Sequence, residues 1–270
     1  VNAQVFAPAT EPLTLNPDAR TLRIHQGLLS KNDQQAAKNR SLFQSHNLLV
    51  LNVLSSPGSG KTALIERLAQ AWTHRHHPVG VIVGDLATDN DAQRLQAAGA
   101  QAIQIRTGTA CHLEAEAVAQ AAQQLDLHRL DLLVIENVGN LVCPAAYDLG
   151  EQLRVVLLSV TEGEDKPLKY PTAFQSADVV ILSKQDLAEA VEFDRQRAIA
   201  HIRRMAPQAC LFELSAKTGA GLEDWLQFLH QQLPQHHHHH PPDSKPAEAH
   251  SPAQQSAGTS VTAALTAKPV

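Results

Sequence analysis

The stretch Ser55-Ser56-Pro57-Gly58-Ser59-Gly60-Lys61-Thr62, followed by Ala63, has the residue types of a loop that cradles phosphate. Gly58 and Gly60 free the backbone to turn successive N–H groups toward an anion. A helix starting just beyond adds the positive end of its dipole. In such a loop Lys61 reaches the β- and γ-phosphates of a nucleoside triphosphate, and the Thr62 hydroxyl binds Mg²⁺. Ser55 departs from the strict pattern, which has glycine there. Two carboxylates close apolar runs: Asp85 after Val81-Ile82-Val83-Gly84, and Glu136 after Leu132-Leu133-Val134-Ile135. Ligands of parallel sheets sit at the carboxyl ends of strands, so both acids can reach the cation beside Thr62. Asp85 is expected to hold it directly or through water, and Glu136 to position Mg²⁺ or the attacking water. The plainer reading is that each caps the next helix or turn. Gly139 follows Glu136 at the spacing of a γ-phosphate-sensing loop, although the usual acid before such a glycine is Asp. Lys61, Glu136 and Asp85 are the candidate catalytic residues. Asp89 and Asp91 read as helix N-terminal charges.

Two later segments address the base. Ser183-Lys184-Gln185-Asp186 follows the apolar run Val179–Leu182, and Ser215-Ala216-Lys217-Thr218-Gly219 follows Cys210–Leu214. The Asp186 carboxylate can accept from guanine N1–H and N2–H₂. Adenine offers no donor there and would leave a buried carboxylate unpaired. Lys184 can lie along the base plane, and the Ala216 N–H can donate to O6. GTPases usually have Asn where this chain has Ser183, so one supporting hydrogen bond is expected to be lost.

A third group is soft. Cys111-His112 follows the run Ala102–Ile105 and a polar loop; Cys143 lies four residues beyond Gly139. Two thiols and an imidazole suit a borderline cation such as Zn²⁺ or Ni²⁺. Three ligands are one short of a structural zinc site, so the site is expected to be open or shared with a second chain. If Gly139 moves when γ-phosphate leaves, Cys143 moves with it. Cys210, at the start of an apolar strand, reads as a small buried hydrophobe. His74, His76 and His77 read as cations favoured at a helix end.

These residues need a scaffold, and the chain alternates strand-length apolar runs with helical patterns. The runs are Leu48–Leu54, Val79–Gly84, Ala102–Ile105, Leu132–Ile135, Val155–Val160, Val179–Leu182 and Cys210–Leu214. The pattern predicts an α/β fold: a mostly parallel sheet of about seven strands flanked by helices. Residues 1–45 read as an arm, partly helical from Asn32 to Ser45. Residues 46–233 read as the nucleotide-hydrolase domain. Residues 234–270, rich in His, Pro, Ala and Ser, cannot bury enough apolar surface to fold alone. A hydrophobic fraction of 43% supports a real core in a chain of 270 residues. The net charge of −5, with both signs interspersed, lacks the basic footprint of a nucleic-acid binder. No apolar run is long enough for a membrane span, and no signal-peptide pattern stands near Val1. Three cysteines, an odd and low count, point to a reducing, cytoplasmic setting.

The combination resembles the HypB family of P-loop GTPases of the SIMIBI class, which help insert nickel into [NiFe] hydrogenases. The resemblance spans about residues 46–233. It rests on the phosphate loop, on Thr-Gly-x-x-Cys-His at 107–112, on Glu-Asn-Val-Gly-Asn-Leu-Val-Cys-Pro at 136–144, and on Ser-Val-Thr-Glu-Gly-Glu-Asp-Lys-Pro at 159–167. It implies slow GTP hydrolysis to GDP and a homodimer favoured by GTP. It also implies a Zn²⁺/Ni²⁺ site at Cys111, His112 and Cys143 near the dimer interface. The partners it implies are HypA and the hydrogenase large subunit. Some relatives carry an N-terminal Cys-rich nickel motif; this chain has no cysteine before Cys111. The run His236-His237-His238-His239-His240 reads as a nickel reservoir or an added purification tag. Rival readings are a urease-type maturation GTPase, a nickel-storage protein with a vestigial GTPase, and an ATP-dependent kinase of similar fold.

Overall fold

The structure, a computed structural model, describes residues 19–85 and 90–234. The chain runs α1 (Ala19–Ser45), β1 (Leu49–Ser55), α2 (Lys61–His74), β2 (Val79–Asp85), α3 (Asn90–Ala97), β3 (Gln101–Arg106), α4 (Ala115–Ala122), β4 (Leu132–Glu136) and β5 (Leu153–Ser159). It continues α5 (Lys166–Lys169), α6 (Pro171–Gln175), β6 (Val179–Ser183), α7 (Arg195–Met205), β7 (Cys210–Glu213) and α8 (Leu222–Gln232). The strands form one sheet in the order β3-β2-β4-β1-β5-β6-β7, with every pairing parallel. This is the seven-stranded P-loop architecture that the apolar runs predict.

Period-two alternation explains why the central strands read as unbroken apolar runs. In β1, Leu49, Leu51 and Val53 face a core with Leu64, Leu68 and Trp72 of α2 and with Trp225 and Leu229 of α8. Val50 faces the other side, against Phe43 of α1 and Val118 of α4. Leu54 joins Phe174 and Ile202 farther along that side. Helices cover both faces, so both faces of β1 are mainly apolar, with Asn52 a buried polar exception. The covering fixes β1 centrally, between β4 and β5, and its carboxyl end delivers the phosphate loop to the middle of the sheet edge.

α1 begins at Ala19, earlier than the Asn32 expected. Two buried carboxamides seat it. Asn39 Nδ2 donates to the carbonyls of Ala115 (2.8 Å) and Leu149 (3.1 Å). Asn32 donates to the Asp148 carbonyl and accepts from the Ala115 N–H. Two further expectations need correcting. Cys210 is exposed, not buried, because β7 is the edge strand and its first residue sits at the rim. Only His74 belongs to the end of α2; His77 lies beyond it, with Nδ1 2.6 Å from Asp131 Oδ2. Asp91 does fall in the first turn of α3. Asp89, the first part of the arm and the run His236–His240 lie outside the described residues.

Candidate nucleotide and metal sites

The phosphate loop turns where its glycines allow it to. Gly58 has φ +74° and Gly60 φ +97°, values that L side chains rarely adopt, and Gly60 is the N-cap of α2. Ser55 does work that glycine cannot. Its hydroxyl donates to the Ser56 carbonyl (2.7 Å) and accepts from Lys61 Nζ (2.9 Å). Lys61 is thus buried at the floor of the loop, and desolvation lowers its pKa. An arriving phosphate would offer this ammonium a charged partner in place of a hydroxyl.

Thr62 Oγ1 donates to Glu136 Oε1 at 2.7 Å. Burial pushes the Glu136 pKa up to about 7, a rise that the Thr62 hydrogen bond and the Lys61 charge oppose. The second oxygen, Oε2, is buried with no hydrogen-bond partner. A buried carboxylate oxygen without a partner, beside a threonine hydroxyl, is a donor set that fits a hydrated divalent cation. Asp85 lines the same cavity as Thr62, Glu136 and Gly139.

A second cavity adjoins it, between the loop and the segments after β6 and β7, lined among others by Ala63, Asp186, Ala216 and Lys217. Lys184 stands in the left-handed region at φ +58°, with its ammonium donating to the Gly58 carbonyl at 2.6 Å. Ser215 donates to Asp186 Oδ1 at 2.6 Å and so aims the carboxylate. Ser183, where GTPases usually have Asn, donates to the Ser59 carbonyl at 2.8 Å. It therefore ties this second cavity to the phosphate loop, and its single hydroxyl proton is spent on that bond.

The structure also brings Cys111, His112 and Cys143 together: one ligand atom from each lies within 4.8 Å of the others. Cys111 Sγ is 3.7 Å from His112 Nδ1. A hydrogen bond with Cys143, then burial, raises the Cys111 pKa, and desolvation lowers that of His112. The imidazole is thereby favoured in its neutral form, the form that binds metal. It stacks on Tyr147 with ring centres 3.9 Å apart. Its Nε2 is buried without a hydrogen-bond partner. Donor softness and spacing both fit a borderline divalent cation.

One short segment joins the two regions. Gly139 packs on the loop so closely that a Cβ would lie 3.1 Å from Pro57 Cα. Asn137, fully buried, accepts from Leu113 N–H (3.2 Å) and Val138 N–H (3.0 Å) and donates to Asn52. Asn140 donates to the Cys111 carbonyl at 3.3 Å. Sequence reasoning gave Asn137 and Asn140 no role. It also passed over Glu162, whose Oε1 lies 2.5 Å from the Ser59 hydroxyl and accepts from the Ser159 N–H. The signal was present: Ser159 and Glu162 have the spacing of a capping box.

Comparison with known proteins accords with this geometry. Residues 49–213 match the family model described as CobW/HypB/UreG, nucleotide-binding domain. The chain is 50% identical over 214 residues to the hydrogenase maturation factor HypB of Azotobacter vinelandii, covering 79% of this chain and 70% of the relative. It is 46% identical over 213 residues to HypB of Escherichia coli K12, covering 79% of this chain and 73% of that one. Helicobacter pylori HypB, whose crystal structure is described as a complex with nickel, superposes with a TM-score of 0.71 at 44% identity. That match covers 77% of this chain and 99% of the other. HypB of Archaeoglobus fulgidus gives the same TM-score at 39% identity, covering 76% of this chain and all of that one. By the family model that matches residues 49–213 and by 50% identity over 79% of its length, the chain belongs to the HypB family of hydrogenase maturation factors.

Proposed function

We propose that the chain is a GTP-hydrolysing metallochaperone that carries nickel toward a [NiFe] hydrogenase. The observation that carries the reading is the segment from Glu136 to Cys143, which touches the phosphate loop at Gly139 and the metal ligands at Asn140 and Cys143. Main-chain N–H groups of Gly58 to Ala63 hold the phosphates, with Pro57 leading into the turn and Lys61 as their cation. Thr62 and Asp85 would hold Mg²⁺, which neutralises charge on the β- and γ-phosphates. Glu136 stands where it can orient the metal's water or the attacking one. Asp186, aimed by Ser215, selects guanine over adenine, with Lys184, Ala216 and Lys217 walling the base. No arginine among the described residues lines the phosphate cavity except Arg94, which is ion-paired with Glu66 at 2.7 Å. Slow unaided turnover follows.

Cys111, His112 and Cys143 take Ni²⁺ or Zn²⁺ as cargo. A GTP-favoured homodimer, docking to HypA and the hydrogenase large subunit, and a cytoplasmic setting complete the proposal. The run His236–His240 serves as a nickel reservoir in this reading. A second reading has one supporting observation: the Helicobacter pylori relative, 44% identical, is a hydrogenase/urease maturation factor, so urease is an alternative recipient. Phosphate release from GTP, with ATP as competitor, tests the enzyme. Lys61→Ala should abolish release, and full activity in that variant would end the assignment.

A further inference from the structure

We infer that His77 and His230 form a second divalent-metal site, of the tetrahedral Zn²⁺ type, at the opposite end of the sheet from the nucleotide. His77 stands two residues before β2, and Asp131 one residue before β4. Both therefore lie at the amino edge of parallel strands whose carboxyl edge carries the phosphate loop and Cys111. β2 is seven residues long, which separates the two edges by roughly 20 Å.

The pair has the features of a built site. Asp131 Oδ2 lies 2.6 Å from His77 Nδ1. A carboxylate on Nδ1 fixes the ring, places the proton on that nitrogen, and leaves Nε2 as a lone-pair donor. The ring also lies beside Trp72, with ring centres 5.4 Å apart, and that indole is itself buried, which restricts how the imidazole can turn. His230, on the last turn of α8, faces His77 with ring centres 5.4 Å apart and planes at 63°. Two imidazoles sharing a tetrahedral cation through bonds of ~2.1 Å place their ring centres roughly 5 Å apart. The observed spacing thus admits a shared ion with little rearrangement. His230 is exposed, so water can complete the coordination. Two protein ligands are fewer than a structural zinc site uses, which makes the bound ion exchangeable.

The site stands apart from the nucleotide reading and is tested without nucleotide. The full chain is prepared with Cys111→Ser, Cys143→Ser, Cys210→Ser, and each of His236, His237, His238, His239 and His240→Ala. This background should bind one equivalent of Co²⁺ with the intense visible absorption of a tetrahedral ion, and Zn²⁺ should displace it. Adding His230→Ala, at an exposed position, should abolish the absorption with an unchanged circular dichroism spectrum. Adding Asp131→Asn should weaken Co²⁺ binding by about 10- to 100-fold. A background chain without tetrahedral absorption, or absorption that survives His230→Ala, overturns the proposal.

Discussion

Glu136 makes the nucleotide-free protein less stable as pH rises, and removing its charge should reveal by how much. Its pKa stands at about 7 in the fold, against an ordinary 4.5. The folded state therefore binds this proton more tightly than the unfolded chain does. The contribution is fully present below about pH 4.5 and is lost as pH climbs through 7. A tenfold change in proton affinity is worth about 1.4 kcal/mol, so the whole span is worth about 3 kcal/mol. Glu136→Gln keeps an oxygen for the Thr62 hydroxyl and carries no charge at any pH. The assay is urea unfolding of both proteins between pH 5 and 8, free of nucleotide and divalent metal. Other groups titrate in this range; the lowered His112 pKa acts with the opposite sign. They are common to both proteins, so the difference between them isolates Glu136. The variant should gain on the wild type steadily with pH, reaching about 2–3 kcal/mol at pH 8. A difference independent of pH would refute the claim that burial holds this proton.

Three further outcomes follow from contacts already described. Gly139→Ala forces its new methyl against Pro57 at 3.1 Å; overpacking of this kind costs about 1–3 kcal/mol. GDP binding, followed by fluorescence of a labelled nucleotide, should weaken roughly tenfold, and unchanged affinity would mean the loop yields freely. Glu162→Ala removes a charged acceptor from Ser59 and Ser159, worth about 1.5–3 kcal/mol. It should raise the GDP dissociation constant about tenfold or more without moving metal affinity; a shift in metal affinity alone would contradict the contact map. Cys143→Ser should weaken Zn²⁺ binding at the cysteine cluster by at least about 100-fold, since a hard hydroxyl replaces a soft thiolate. Equal competition against a chelator by both proteins would remove Cys143 from the ligand set.

Local chemistry was legible in the sequence wherever one stretch of chain holds the whole device. The phosphate loop is such a case, because the strand, the glycines and the helix are consecutive. The strands were legible because both faces of β1, β4 and β6 are covered, leaving apolar residues at most positions. Features that need a distant partner were not. Nothing in Asn39 announces that it reaches Ala115 and Leu149, so α1 read as a loose polar arm. Cys210 has the neighbours of a buried strand residue, and only strand order shows that β7 is an edge. Glu162 caps a turn, as its spacing says, and its second task at Ser59 depends on how the β5 and β1 ends lie side by side.

The two asparagines of α1 have a consequence for how this molecule can be trimmed. A chain beginning at His46 would keep every strand and the phosphate loop, yet would strand the Ala115 amide and the Ala115, Asp148 and Leu149 carbonyls. Those groups flank His112 and Tyr147, so solvent would enter beside the stacked imidazole and loosen it first. Shortening the leading helix should therefore be felt at the Cys111–His112–Cys143 cluster well before it is felt at the phosphate loop.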